Sequence, residues 1–86
     1  MTDKKSDGQD YVRSLQNEYR PGDYWTHYKG GVYQILSLGV KEDTGEAMVV
    51  YKSLKHGTVW IRTLSNWNDD VAILGGYVKR FKPGAP

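Results

Sequence analysis

The sequence has no cysteine, so it offers no disulfide framework, no thiolate nucleophile and no thiolate metal ligand. Long apolar runs are missing too. None approaches the roughly 20 residues that a membrane-spanning helix requires. Neither sign of charge dominates: 12 basic residues face 10 acidic ones, for a formal net charge of +2. A DNA-binding domain normally shows a clear basic excess on one face, and the composition does not point that way. Histidine is scarce. His27 and His56 lie far apart, and no pair has metal-ligand spacing. The opening residues, Met-Thr-Asp-Lys-Lys-Ser-Asp-Gly, lack the apolar stretch of a secretory signal, which leaves the cytoplasm as the expected compartment.

What the chain does have is aromatic bulk: 7 Tyr, 3 Trp and 1 Phe in 86 residues. That length is one domain, and a domain this small buries only about 60% of the surface its unfolded chain exposes. Each ring buries a large apolar area while fixing two torsions, so aromatics can hold a small β fold together without metal or disulfide.

Residues 1–21 read as a polar leading segment carrying a short amphipathic helix, with a frayed tail as the alternative. Ser6 and Gln9 have capping-box spacing, Asp10 is a candidate N-cap, and Val12, Leu15 and Tyr19 recur at helical spacing with Tyr11 beside them. Arg20-Pro21-Gly22 ends it. From Gly22 the pattern turns to strands. Residues 24–28, 32–41, 46–54 and 58–64 are strand candidates, separated by Lys29-Gly30-Gly31, Glu42-Asp43-Thr44-Gly45 and Lys55-His56-Gly57. Gly45 is placed to take positive φ. Residues 65–70 favour a turn or one helical turn, because Ser, Asn and Asp bond their own backbone. A last hairpin or one bent strand follows over 71–81, and 83–86 read as a tail. The expectation is a mainly β fold: a five-stranded SH3-like barrel over 22–82 with a short N-terminal helix. An OB-like barrel is the competing architecture.

No serine has a nucleophile-elbow pattern around it, and neither Gly30-Gly31 nor Gly75-Gly76 is a phosphate loop. Asp69-Asp70 lacks the spacing of an EF-hand. The expectation is therefore no catalysis, no metal and no cofactor. The informative residues are aromatic. Trp60 and Arg62 share one strand face and Val59, Ile61 and Thr63 the other. If Val59 and Ile61 point inward, Trp60 and Arg62 point out, as part of a patch of Trp, Tyr and Arg such as binding hot spots use. The alternative is that these rings fill the core and Arg62 is a strut, stacked on a ring and pinning a turn. Lys52, Lys55, Lys79, Arg80 and Lys82 read either as a weak positive stripe or as a lysine-guarded edge.

Thr26-His27-Tyr28-Lys29-Gly30-Gly31-Val32-Tyr33, Asp43-Thr44-Gly45-Glu46, Val49-Val50-Tyr51 and Trp60-Ile61-Arg62 come in an order that, with Leu64, Trp67, Val78, Arg80 and Phe81, resembles the bacterial and phage family called Domain of Unknown Function 1653. The resemblance spans residues 22–82. It implies a small SH3-like β-barrel and carries no activity across. The chain departs from the family pattern as a divergent member: Trp25 stands for tyrosine, Lys41 for histidine, Thr63 and Lys79 for prolines, and Asn66-Trp67 for Met-Phe.

The function expected is a non-enzymatic binding module with a ligand site at His27, Tyr28, Tyr51, Trp60, Arg62 and Trp67. Its partner would be a protein or a small ligand, met by a monomer or a small homo-oligomer. The alternatives are a nucleic-acid-binding barrel and a phage-type nucleotide-sequestering protein.

Overall fold

A computed structural model of the chain describes residues 4–86, with side-chain surroundings from Gln9 onward. Thr2 and Asp3, read above as part of the polar leading segment, lie outside the described residues. Helix α1 spans Lys4–Ser14, followed by β1 (Tyr24–His27), β2 (Val32–Val40), β3 (Ala47–Ser53) and β4 (Val59–Thr63). One helical turn, α2 (Leu64–Trp67), leads to β5 (Asp70–Ile73), β6 (Gly76–Lys79) and β7 (Phe81–Pro83).

The strands form two antiparallel sheets. The larger runs β4-β3-β2-β1-β7; the smaller is the β5-β6 hairpin alone. This corrects the expectation of a closed five-stranded barrel. The fold is mainly β, but β4 and β7 do not pair, so the sheet keeps two edges. The last hairpin forms as one of the two expected arrangements, turned at Gly75-Gly76, where both glycines have positive φ, but it stands as a sheet of its own. β7 also reaches into the residues read as a tail. Trp25 pairs with Pro83, and the Gly84 N–H donates to the Tyr24 carbonyl at 2.8 Å.

Strand alternation decides what is buried. On β3, Ala47, Val49, Tyr51 and Ser53 face inward and Met48, Val50 and Lys52 outward, giving strict alternation of burial. β2 contributes Ile35 and Leu38, and these differ in parity because Leu36 is an extra residue: Ile35 pairs with Tyr51 but Ser37 pairs with Val50. That β-bulge leaves Leu36 unopposed and partly exposed. The β2–β3 turn closes as expected, with Gly45 at φ +77° and its N–H donating to the Lys41 carbonyl at 2.8 Å.

Aromatic rings form the centre of the core. Trp67 is fully buried and stacks on Phe81 with centroids 3.7 Å apart and planes 3° from parallel. Tyr51 and Trp25 meet Trp67 edge-on at 4.9 and 5.5 Å, and Tyr19 stacks on Trp25 at 5.5 Å. Helix α1 packs against β2 and β3 and buries Val12. Its bounds differ from the expectation. Ser6 and Asp10, read as start signals, fall inside the helix, while Leu15 and Tyr19 lie in the turns beyond its end. Tyr19 is nevertheless buried, and its hydroxyl donates to Asn68 Oδ1 at 3.1 Å, tying the leading segment to the loop after α2.

Candidate functional site

The face presented by β4 is set by its neighbour. Opposite residues on antiparallel strands share a face. Val49 pairs with Arg62 and Tyr51 with Trp60, so Trp60 and Arg62 stand on the core side. Val59 and Ile61 are the outward pair, 52% and 66% exposed. The expected orientation of this strand is therefore reversed. Trp60 is still 53% exposed, because β4 is an edge and nothing beyond it covers the ring.

The consequence is a small cleft of about 160 Å³ at the rim of the core, lined by His27, Tyr33, Tyr51, Trp60, Arg62 and Phe81. Of the residues expected to form a site, His27, Tyr51, Trp60 and Arg62 converge here. Trp67 does not line it; it is the buried ring beneath, holding Phe81 in place. Tyr28 is also displaced. Its ring tilts against His27 at 4.6 Å but lines a second hollow of about 340 Å³, which His27 also lines, with Ile73, Val78, Lys79 and Lys82, where Lys79 is paired with Asp70 at 3.2 Å. Tyr33 and Phe81 complete the cleft and were not singled out for it. The signal for Phe81 lies in its pairing with His27 across β1 and β7, which local pattern does not carry.

Arg62 is held from several sides. Its Nε donates to the Tyr51 hydroxyl at 3.0 Å, its Nη1 donates to Asn66 Oδ1, and the guanidinium lies 5.4 Å from the Phe81 ring centroid. Asn66 is fixed in turn: its N–H donates to Thr63 Oγ1, the cap of α2, and its carbonyl accepts from Arg80 Nε at 3.1 Å. Arg62 is thus a strut as well as a wall of the cleft. Among the described residues it has no carboxylate partner.

His27 stands at the end of β1, 5.0 Å edge-on from Phe81. Burial, reinforced by the charges of Arg62, Arg80 and Lys29, holds its imidazole below the usual histidine range. Its Nδ1 accepts the Lys29 N–H at 3.2 Å, which places the proton of the neutral ring on Nε2. Tyr33 leans over the β1–β2 turn. A Cβ added at Gly31 would stand 3.1 Å from its Cε2, so glycine there permits the close approach. The cleft therefore combines ring faces, one fixed guanidinium and a neutral imidazole in a locally positive field.

No helix among the described residues is long and apolar enough to cross a membrane. No curated protein matches the chain. A crystal structure of a DUF1653 protein from Bordetella bronchiseptica is similar, with 33% identity, coverage of 81% of this chain and 92% of that one, and a TM-score of 0.68. The family described as "Protein of unknown function (DUF1653)" matches residues 23–83, and the chain belongs to it.

Proposed function

We propose that this domain is a non-enzymatic binding module of SH3-like design, and that its cleft takes an acidic residue or a terminal carboxylate of a protein partner. The SH3-like reading rests on the strand order β4-β3-β2-β1-β7, with the last strand beside the first and a helical turn at the end of β4. The binding reading is carried by Arg62: a guanidinium already oriented by Tyr51 and Asn66, beside an exposed Trp60, with no carboxylate of the described residues against it. A fixed guanidinium loses little freedom on gripping a carboxylate, and charge-assisted hydrogen bonds of this kind are about twice as strong as neutral ones.

Size argues for a residue rather than a whole cofactor. Sites that enclose small molecules span about 300–1,000 Å³, and the cleft holds about 160 Å³. The larger hollow beside Tyr28 has the volume, but its Lys79 is already paired with Asp70. The chemistry also favours binding over catalysis. The neighbours that shift His27 are cations, whereas a general base is usually oriented by a carboxylate.

The test is a nitrogen-15 NMR titration with a panel of short peptides, each acidic member matched by its amide. Acidic peptides are expected to move the Trp60 indole and Arg62 Nε resonances, and Arg62→Gln to abolish the response while the variant still unfolds cooperatively. Amides that bind equally well, or acidic peptides that perturb only residues away from the cleft, overturn the reading.

A further inference from the structure

The outer edge of β4 is open over Val59, Trp60 and Ile61. Val59, Trp60 and Ile61 are consecutive, alternate between the two faces and are each more than half exposed, so the edge itself is uncovered. Its backbone polarity follows from the ladder. The Ser53 N–H donates to the Thr58 carbonyl at 2.9 Å, and stepping by two along each strand makes Trp60 and Arg62 the residues bonded to β3. The N–H and C=O groups of Val59 and Ile61 therefore point away from the sheet. Edges of this kind are normally blunted with lysine, proline or a bulge. β4, reading Val-Trp-Ile-Arg-Thr, has none of these, and its one charge, Arg62, is held back against Tyr51 and Asn66.

We propose that this edge pairs with the same edge of a second copy, antiparallel about a two-fold axis at Ile61, so that two protomers share one continuous sheet. The strand is self-complementary in that register. Ile61 meets Ile61 of the second copy as a hydrogen-bonded pair, using the two outward groups at the axis. Trp60 meets the second copy's Arg62, ring against guanidinium, on both sides. Sliding by two residues one way opposes Arg62 to its own copy, cation against cation. Sliding by two the other way opposes it to Thr58 and leaves its charge without a ring.

Pairing also changes the cleft. Trp60 and Arg62 are two of its lining residues, and each protomer would lend its Trp60 to the open side of the other's Arg62. The proposal concerns the free protein and stands whether or not the cleft takes a peptide.

Because the chain has no cysteine, a single introduced thiol reports register directly. Opposed residues of a hydrogen-bonded antiparallel pair have Cα atoms about 5.5 Å apart, within the range a disulfide bridges. Under mild oxidation, Ile61→Cys is expected to form a covalent dimer at least tenfold faster than Val59→Cys, whose copies would stand about 14 Å apart along the strands. In sedimentation velocity the unmodified chain is expected to approach twice its mass as concentration rises. Ile61→Pro, which removes an outward N–H without touching the ladder to β3, is expected to stay monomeric. A single monomeric species up to millimolar concentration, or equal cross-linking at the two positions, overturns the proposal.

Discussion

Replacing Trp67 by phenylalanine is expected to change stability by no more than about 1 kcal/mol, whereas replacing it by alanine costs about 3–5 kcal/mol. Both substitutions remove one unsatisfied atom, and they differ in the ring that phenylalanine keeps. Trp67 is fully buried, yet its Nε1–H has no hydrogen-bond partner among the described residues. A buried unsatisfied donor costs about 1–3 kcal/mol. Phenylalanine removes that donor, keeps a ring to stack on Phe81, and gives up of order 50 Å² of apolar area, worth about 1 kcal/mol, with a cavity cost of similar size. Loss and relief nearly cancel. Alanine removes the ring and the stack together, leaving a void between Trp25, Tyr51 and Phe81. In a domain of this length the total stability is about 4–13 kcal/mol, so the alanine variant sits near the edge of folding. Urea unfolding followed by far-ultraviolet circular dichroism measures both. A phenylalanine variant that loses as much as the alanine variant would refute the reasoning, since it would mean that the indole N–H is satisfied within the core.

Protonating His27 is expected to destabilise the fold. Its folded pKa lies below the unfolded value of about 6.5, so its contribution is full above that pH and is lost as pH falls toward the folded pKa. The urea midpoint should drop on acidification, less so in His27→Gln, and an imidazole that titrates above 6.5 by NMR contradicts this. Arg62→Ala, which strips hydrogen bonds from Tyr51 and Asn66 and the cation from Phe81, is expected to cost about 1–3 kcal/mol. Arg62→Lys should recover little of this, because one ammonium cannot span both acceptors; full rescue in thermal unfolding would count against the strut. Gly45→Ala, at φ +77°, is expected to cost about 1–2 kcal/mol. Gly39→Ala, with open space around its Cβ, should stay within about 0.5 kcal/mol; equal losses by chemical denaturation would sink the distinction.

The strands and turns were readable because their signals are local. Gly45 and Gly57 both take the positive φ their turns demand, and β1 to β4 fall within a residue or two of the expected spans. Which face of β4 looks inward was not readable. Val59 and Ile61 look like core residues by type, but the decision belongs to Val49 and Tyr51 on the neighbouring strand, whose inward side is fixed by packing on β2 and the aromatic core. The reversal is why Trp60 and Arg62 frame a cleft rather than an outer patch. The separate β5-β6 sheet was also hidden, since a hairpin reads the same whether or not its strands join a larger ladder. Thr63 and Asn66 replace residues usual in the family, and the structure shows what they do here: one caps α2 and the other anchors Arg62.

The extra residue in β2 makes that strand forgiving at one place. Up to Ile35 the inward positions are odd-numbered; from Leu38 they are even-numbered. Deleting Leu36 would join the two halves into a regular alternation with every inward side chain still inward. Losing Ile35 or Ser37 can be absorbed in the same way, with Leu36 taking the vacated place, whereas a deletion before Ile35 or after Ser37 would turn part of the strand inside out. Length variation in this strand is therefore tolerable at residues 35–37, so gaps and insertions among related sequences are expected to collect there and leave the rest of the ladder ungapped.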